Sequence, residues 1–297
     1  MTLRAKNPKH ATLRKPKILI YGKPGVGKTM GVLDFPKVYY IDCEGGASLD
    51  HYTDRLQASG GVYMGVDDGA NDIDVVAKEI MALATTSHDY LTVAIDSYSK
   101  LFLTAIQIEH DRMVSEGRDM SKTFGAEKKP AIARTRQIVR WLDKLDMNVI
   151  LVCHEKSLWK NGEQVGETFD AYDKLEYDLD LVMQIIKQGK SRKARICKSR
   201  LLQFDESEFI EWSFDSFADR YGRGIIEAAS VPVALASDEQ VEHITALAEM
   251  LKLDDGARIK WWEKAGVQSW SEMTSDTIQK CINSLESKLP NNKEGKQ

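Results

Sequence analysis

Residues 22–29 read Gly22-Lys23-Pro24-Gly25-Val26-Gly27-Lys28-Thr29 and fill every fixed position of the pattern G-x-x-x-x-G-K-[ST]. In such a loop the glycines let backbone N–H groups wrap phosphate oxygens. The lysine reaches the β- and γ-phosphates, and the hydroxyl binds Mg²⁺. The setting fits this chemistry, because the apolar run Lys17-Ile18-Leu19-Ile20-Tyr21 leads directly into the loop and a short helical segment follows, ending by Phe35-Pro36. The expected nucleotide-binding set is Gly22, Lys23, Pro24, Gly25, Val26, Gly27, Lys28 and Thr29, with Met30 next in line, and the expected cofactors are ATP and Mg²⁺.

The rest of the first two-thirds of the chain alternates. Val38–Asp42 is a second apolar run. Helical spacing over 73–84 leads to a third strand, Tyr90–Asp96, and a helix over 131–145 leads to a fourth, Asn148–Cys153, which ends at His154. Two further strands, 179–186 and 193–198, flank the basic turn Gln188-Gly189-Lys190-Ser191. Near-continuous apolar strands alternating with helices predict an α/β fold with a mainly parallel sheet covered on both faces, and ligands at the carboxyl ends of its strands.

After Ser230 the style changes. Ser237-Asp238-Glu239-Gln240 is a capping box, and three helical patterns follow it. The boundaries read as a basic amino-terminal arm 1–16, a core 17–229, a linker 230–236, a small three-helix module 237–290 and a flexible tail 291–297. Trp261, Trp262 and Trp270 fit the core of so small a module, or a stacking surface.

Composition narrows the class. Apolar residues at 42% and charged residues at 29% are ordinary for a folded soluble chain, and no apolar run reaches the length of a membrane span. Cys43, Cys153, Cys197 and Cys281 form no C-x-x-C pair, so neither a zinc site nor a disulfide framework is expected, and a reducing cytoplasm fits. The net charge of −4 favours no polyanion, but cations cluster before the first strand and again over 187–200, where no carboxylate intervenes. Each cluster reads either as a solvated surface or as a DNA contact.

Two carboxylates stand where nucleotide chemistry needs them. Asp96 ends the third strand and is expected to complete the Mg²⁺ shell with Thr29. The residue after it is Ser97, not the glutamate that often activates water in such sites, so the better candidate is Glu44, just past the second strand.

These residues resemble the RecA/RadA superfamily, which carries its catalytic glutamate in an Ile-Asp-x-Glu segment such as Ile41-Asp42-Cys43-Glu44 and an Asp-Ser pair such as Asp96-Ser97 at its magnesium strand. The resemblance spans about residues 17–225 and is closest to core-only, phage-encoded members, several of them single-strand annealing recombination proteins. It implies a RecA-like P-loop core in which His154 senses the γ-phosphate. Lys198 and Arg200, from Lys198-Ser199-Arg200, would reach a neighbouring subunit's ATP.

It further implies DNA-stimulated ATP hydrolysis in a ring or filament with ATP between subunits, acting on single-stranded DNA in a host cytoplasm. The DNA would bind through two loops, here 114–129 with Arg118, Lys122, Lys128 and Lys129, and 155–171 with Lys156, Trp159 and Lys160. Both segments read equally as solvated loops. The carboxyl-terminal module is expected to dock a single-strand-binding or replication protein, or to add DNA contact. The rival readings are an ATP-switched binding module without turnover and a translocating helicase motor.

Overall fold

The computed structural model describes residues 13–46, 49–122 and 125–289. Most of the predicted arm, including Arg4, Lys6 and Lys9, and the tail 291–297 lie outside them.

In chain order the elements are β1 (Lys17–Gly22), α1 (Lys28–Leu33), β2 (Val38–Asp42), α2 (Asp50–Ala58), β3 (Val62–Met64), α3 (Ile73–Thr85), β4 (Thr92–Asp96), α4 (Tyr98–Ser115), α5 (Lys128–Lys144), β5 (Asn148–Lys160), β6 (Glu163–Phe169), β7 (Leu181–Gln188), β8 (Ser191–Ser199), β9 (Phe209–Glu211), α6 (Phe214–Tyr221), α7 (Arg223–Ile226), α8 (Asp238–Met250), α9 (Asp255–Ala265) and α10 (Ser275–Glu286). The strands form one sheet in the order β3-β2-β4-β5-β1-β7-β8-β9, with β6 paired to β5 alone. From β3 to β7 every pairing is parallel; β8, β9 and β6 are antiparallel additions.

Successive side chains of a strand face opposite ways, so each central strand feeds two cores. Leu19, Ile41, Val93, Ile95, Val149 and Leu151 pack under α3, α4 and α5. Ile18, Ile20, Tyr40, Ala94, Ile150 and Val152 pack on the other face with α1, α2 and α6. Here Phe35, fully buried just past α1, meets Phe214 and Phe217 with ring centroids 5.1 and 5.7 Å away. That packing, with Pro36 behind it, holds α1 to six residues.

Three expectations change. Within the expected loop 155–171, residues 155–169 are a β-hairpin: β5 runs on past His154 to Lys160 and pairs with β6. The turn between them is Asn161-Gly162 with φ of 54° and 85°, the left-handed pair that a tight hairpin turn demands. Of the other predicted loop, 114–129, Val114 and Ser115 belong to α4 and Lys128 and Lys129 to α5. Finally, the end of the arm is tied to the core, though Arg14 stays half-exposed. Lys15 is 4% exposed and donates to the Ala228 carbonyl, and Arg14 pairs with Asp143 at 2.7 Å.

The carboxyl-terminal helices are three, as the pattern predicted, and the Ser237 side chain caps α8 in a capping box with Gln240. They continue the α3–α5 core, for Ile244, Leu247, Trp270, Met273, Ile278 and Leu285 share one hydrophobic cluster with it. The segment before them is hydrogen-bonded in place: the Val233 N–H donates to Ala84 O at 2.7 Å and the Ala236 N–H to Met273 O at 2.8 Å. The tryptophans pack together, with Trp261 and Trp262 edge-on to Trp270 at 6.2 and 5.6 Å. No helix among the described residues is long and apolar enough to cross a membrane.

Candidate functional site

Strand register assembles the site. Gly22 of β1 lies opposite His154 of β5, and Asp96 of β4 opposite both Val152 of β5 and Asp42 of β2. The carboxyl ends of four parallel strands therefore present the phosphate loop, His154, Asp96 and the segment leading to Glu44 along one edge.

The loop's glycines have separate reasons. A Cβ at Gly22 would stand 2.4 Å from the Ile185 carbonyl oxygen of β7, so backbone approach excludes any larger residue. Gly27 has φ 92°, and a Cβ there would meet the Arg192 side chain of β8 at 2.0 Å. Within the loop the Lys28 ammonium donates to the Gly22 and Lys23 carbonyls at 2.8 and 3.0 Å. Burial lowers its pKa below the ordinary lysine value, against the pull of Asp96, Glu44 and Glu155.

Thr29 Oγ1 donates to Asp96 Oδ2 at 2.7 Å, and Tyr40 OH donates to the same oxygen at 2.8 Å. Burial raises the Asp96 pKa, with the Glu44 charge adding to it and the two hydroxyl bonds opposing. A hydroxyl beside a buried carboxylate is the hard-oxygen donor set that Mg²⁺ prefers, and a cation there would offset the cost of burying the charge. No group of three or more His, Cys, Asp or Glu among the described residues could hold a metal alone. A Mg²⁺ at this pair would thus complete its shell with phosphate oxygens and water, as that ion does at nucleotide sites.

Glu44 is placed by a turn. Asp42 Oδ1 accepts from the N–H groups of Glu44 and Gly45 at 3.1 and 2.9 Å, and Gly45 takes the left-handed conformation that follows, with φ 75°. The Glu44 carboxylate then lies 2.6 Å from His154 Nε2 and accepts from the Ser97 hydroxyl, while remaining 40% exposed. The His154 backbone is fixed by Ser99 Oγ, 2.9 Å from its N–H.

The remaining pair is elsewhere. Ser199 is level with Leu181 and Leu181 with Ile18, so Lys198 and Arg200 sit at the start of β1. Four residues of strand, about 13 Å, separate that level from Gly22. Lys198 donates to the Leu179 carbonyl and Arg200 to that of Tyr177. Neither reaches the phosphate loop of this chain.

Sequence reasoning missed Tyr40, Ser97 and Arg192 as site residues. Ser97 follows Asp96 directly and was visible. Tyr40 lies two residues before Asp42 on an apolar strand and carries no distinguishing signal. Arg192 was one cation of a basic run; only the pairing of β8 with β7 shows that it overlies Gly27, with its Nε buried and without a hydrogen-bond partner.

This fold and this site define a P-loop NTPase with an α/β core, a mostly parallel sheet and carboxyl-terminal helices. More particularly, the AAA-domain family profile matches residues 14–211, and the chain belongs to that family. Among solved structures, the crystal structure of the RadB recombinase is similar at 18% identity, with 67% of this chain and 87% of that chain covered and a TM-score of 0.41. No curated protein matches the chain.

Proposed function

We propose that the chain is an ATPase that uses Mg²⁺·ATP to bind single-stranded DNA and promote annealing or pairing of strands. The observation that carries the catalytic part is Glu44, an exposed carboxylate held 2.6 Å from His154 beside the buried Thr29–Asp96 pair. That position suits a general base, which would take a proton from a water attacking the γ-phosphoryl group. Lys28 meets the charge on the β- and γ-oxygens. Mg²⁺ would supply further charge neutralisation there, and Thr29 and Asp96 are the residues that would hold it.

His154 has two partners to choose between. Its Nε2 holds Glu44 when no phosphate is near, and an incoming γ-phosphate competes for it and frees the base. In this reading Lys198 and Arg200 serve a neighbouring subunit's nucleotide. Their position at the far end of β1 supports that role, since they cannot reach the nucleotide of their own chain. Supplying the cation in trans makes hydrolysis depend on assembly.

The DNA part rests on the β5–β6 hairpin. Lys156, Trp159 and Lys160 lie on it, and Trp159 is 63% exposed, a combination suited to backbone tracking and base stacking. Because β5 is one strand through His154 into the hairpin, a ligand seated on the hairpin acts on the phosphate sensor without an intermediary.

The test is ATP turnover with and without oligo(dT) across a salt series. Stimulation by DNA that fades as salt rises supports the reading. Turnover indifferent to DNA at every salt concentration refutes it, and ATP-dependent DNA binding without turnover leaves the switched binding module instead.

A further inference from the structure

A cavity of about 930 Å³ opens between the end of α5, the 3₁₀ turn Leu175–Asp178 and the end of α9, at the opposite end of β1 from the phosphate loop. Its walls carry Arg136, Arg140, Lys144, Lys174, Arg200 and Lys264. Among the described residues none of these six forms an ion pair with a carboxylate. Arg140 and Lys144 donate only to the backbone carbonyls of Glu263 and Ala265, at 3.3 and 3.4 Å, and Arg136 lies over the Tyr172 ring at 5.4 Å.

The acids at the cavity are already engaged. Asp143 is bound by Arg14 at 2.7 Å, and Asp178 accepts from Tyr172 OH at 3.4 Å. Six like charges gathered around one cavity repel one another, and burial already lowers the Lys144 pKa, with Arg140 adding to the shift. Against these six cations the cavity lining offers one carboxylate not held by a cation, Asp178, and Glu272 acts on Lys144 from nearby, so positive charge is in excess and the cavity suits an anion.

We infer that this cleft binds the sugar–phosphate backbone of single-stranded nucleic acid, as a second contact remote from the hairpin. Its size exceeds what a lone phosphate fills, and the cations are spread over α5, the residue before the 3₁₀ turn, the residue after β8 and the end of α9 instead of converging on one point. Tyr177, 63% exposed, adds a ring to the wall on which an unpaired base can stack. The inference rests on the nucleic-acid reading proposed above; Arg200 keeps the nucleotide role given there, so the backbone contact is carried by Arg136, Arg140, Lys144, Lys174 and Lys264, which puts part of the affinity at the junction of the core with the carboxyl-terminal helices. The module thus contributes to the nucleic-acid path through Lys264 at the end of α9.

The test uses the full chain, fluorescently labelled oligo(dT), and anisotropy titrations at several salt concentrations. Lys174→Gln with Lys264→Gln removes two charges whose side chains anchor no other element. Each phosphate contact on a single strand contributes about 0.7 to the salt slope, so losing two lowers the slope by about 1.4 and weakens binding about 25-fold at 0.1 M salt. Oligo(U) distinguishes a DNA site from one indifferent to the sugar; the same loss with either polymer supports the inference.

If the double variant binds like wild type while Lys156→Gln with Lys160→Gln binds more weakly, the cleft assignment is wrong and the nucleic-acid reading survives. A wild-type chain that binds neither polymer in any nucleotide state refutes both. If the variant lowers only ATP turnover, with DNA affinity unchanged, the cleft serves nucleotide phosphate and the inference is overturned. An unchanged thermal unfolding midpoint shows that the variant is folded.

Discussion

Gly22→Ala separates backbone geometry from side-chain chemistry at the phosphate loop. The added methyl would stand 2.4 Å from the Ile185 carbonyl oxygen and 3.3 Å from both Ile185 C and Val26 Cγ2. Relief to ordinary contact needs a shift of about 1 Å. The obstacle is backbone, and Ile185 is held in β7 between β1 and β8. Overpacking of this kind costs about 1–3 kcal/mol, or roughly 2–10 °C in unfolding midpoint for a chain of this size. Because the Gly22 carbonyl accepts from Lys28 Nζ at 2.8 Å, displacement of the loop also moves the lysine. Nucleotide affinity should fall at least about tenfold, equivalent to about 1.4 kcal/mol. Gly224→Ala is the control, because it lies in α7 with nothing within 4 Å of the added methyl, and there the exchange is neutral or stabilising. Urea unfolding and titration with a fluorescent ATP analogue read the two effects. A Gly22→Ala chain that unfolds and binds like wild type would refute the close-approach argument.

Three other outcomes follow from the same structure. Asp96→Asn should abolish Mg²⁺-dependent nucleotide affinity yet leave the metal-free protein at pH 7 as stable as wild type or more so. The raised carboxyl pKa means that the folded chain holds this proton to higher pH than the unfolded chain, so ionisation costs stability as pH rises; a large loss of stability in chelator would contradict this. The buried Lys17 ammonium, which donates to the Leu145 and Met147 carbonyls at 2.7 and 2.8 Å, is lowered by burial to about 7. Between that value and the ordinary lysine value near 10.4, the unfolded chain binds the extra proton, so stability should climb from pH 7 to pH 9.5, and Lys17→Met should flatten that rise in urea midpoints. Mixing Arg200→Ala with Glu44→Gln subunits should restore part of the turnover that each lacks, and no recovery at any ratio would rule out action in trans.

The site was legible where chemistry and register coincide. A glycine loop between an apolar strand and a helix has one physical use, and the ends of parallel strands in neighbouring register bring Asp96 and His154 to it. The lack of a glutamate beside Asp96 pointed to Glu44 as the candidate, and the Asp42 turn that presents it is local. Long-range approach was not legible: nothing in the basic run singles out Arg192, which covers Gly27 from the start of β8, whereas Arg200 stood out only through Lys198-Ser199-Arg200 and lies just past the other end of that strand. The hairpin after His154 was hidden by its charges. Asn161-Gly162 announced the turn, but Lys156, Lys160, Glu163 and Glu167 obscured strands with little apolar surface to bury. The basic cleft draws residues from positions 136 to 264, and only folding brings them together.

The central claim is that ATP is hydrolysed at this phosphate loop with Glu44 as the base, and Glu44→Gln tests it most directly. The exchange keeps the size of the side chain and its hydrogen bonding to Ser97, while removing the proton acceptor. Steady-state turnover should fall by about 10²–10⁴, with affinity for the fluorescent ATP analogue and Mg²⁺ within a few-fold of wild type. Turnover unchanged by Glu44→Gln, with ATP still bound, would contradict the assignment.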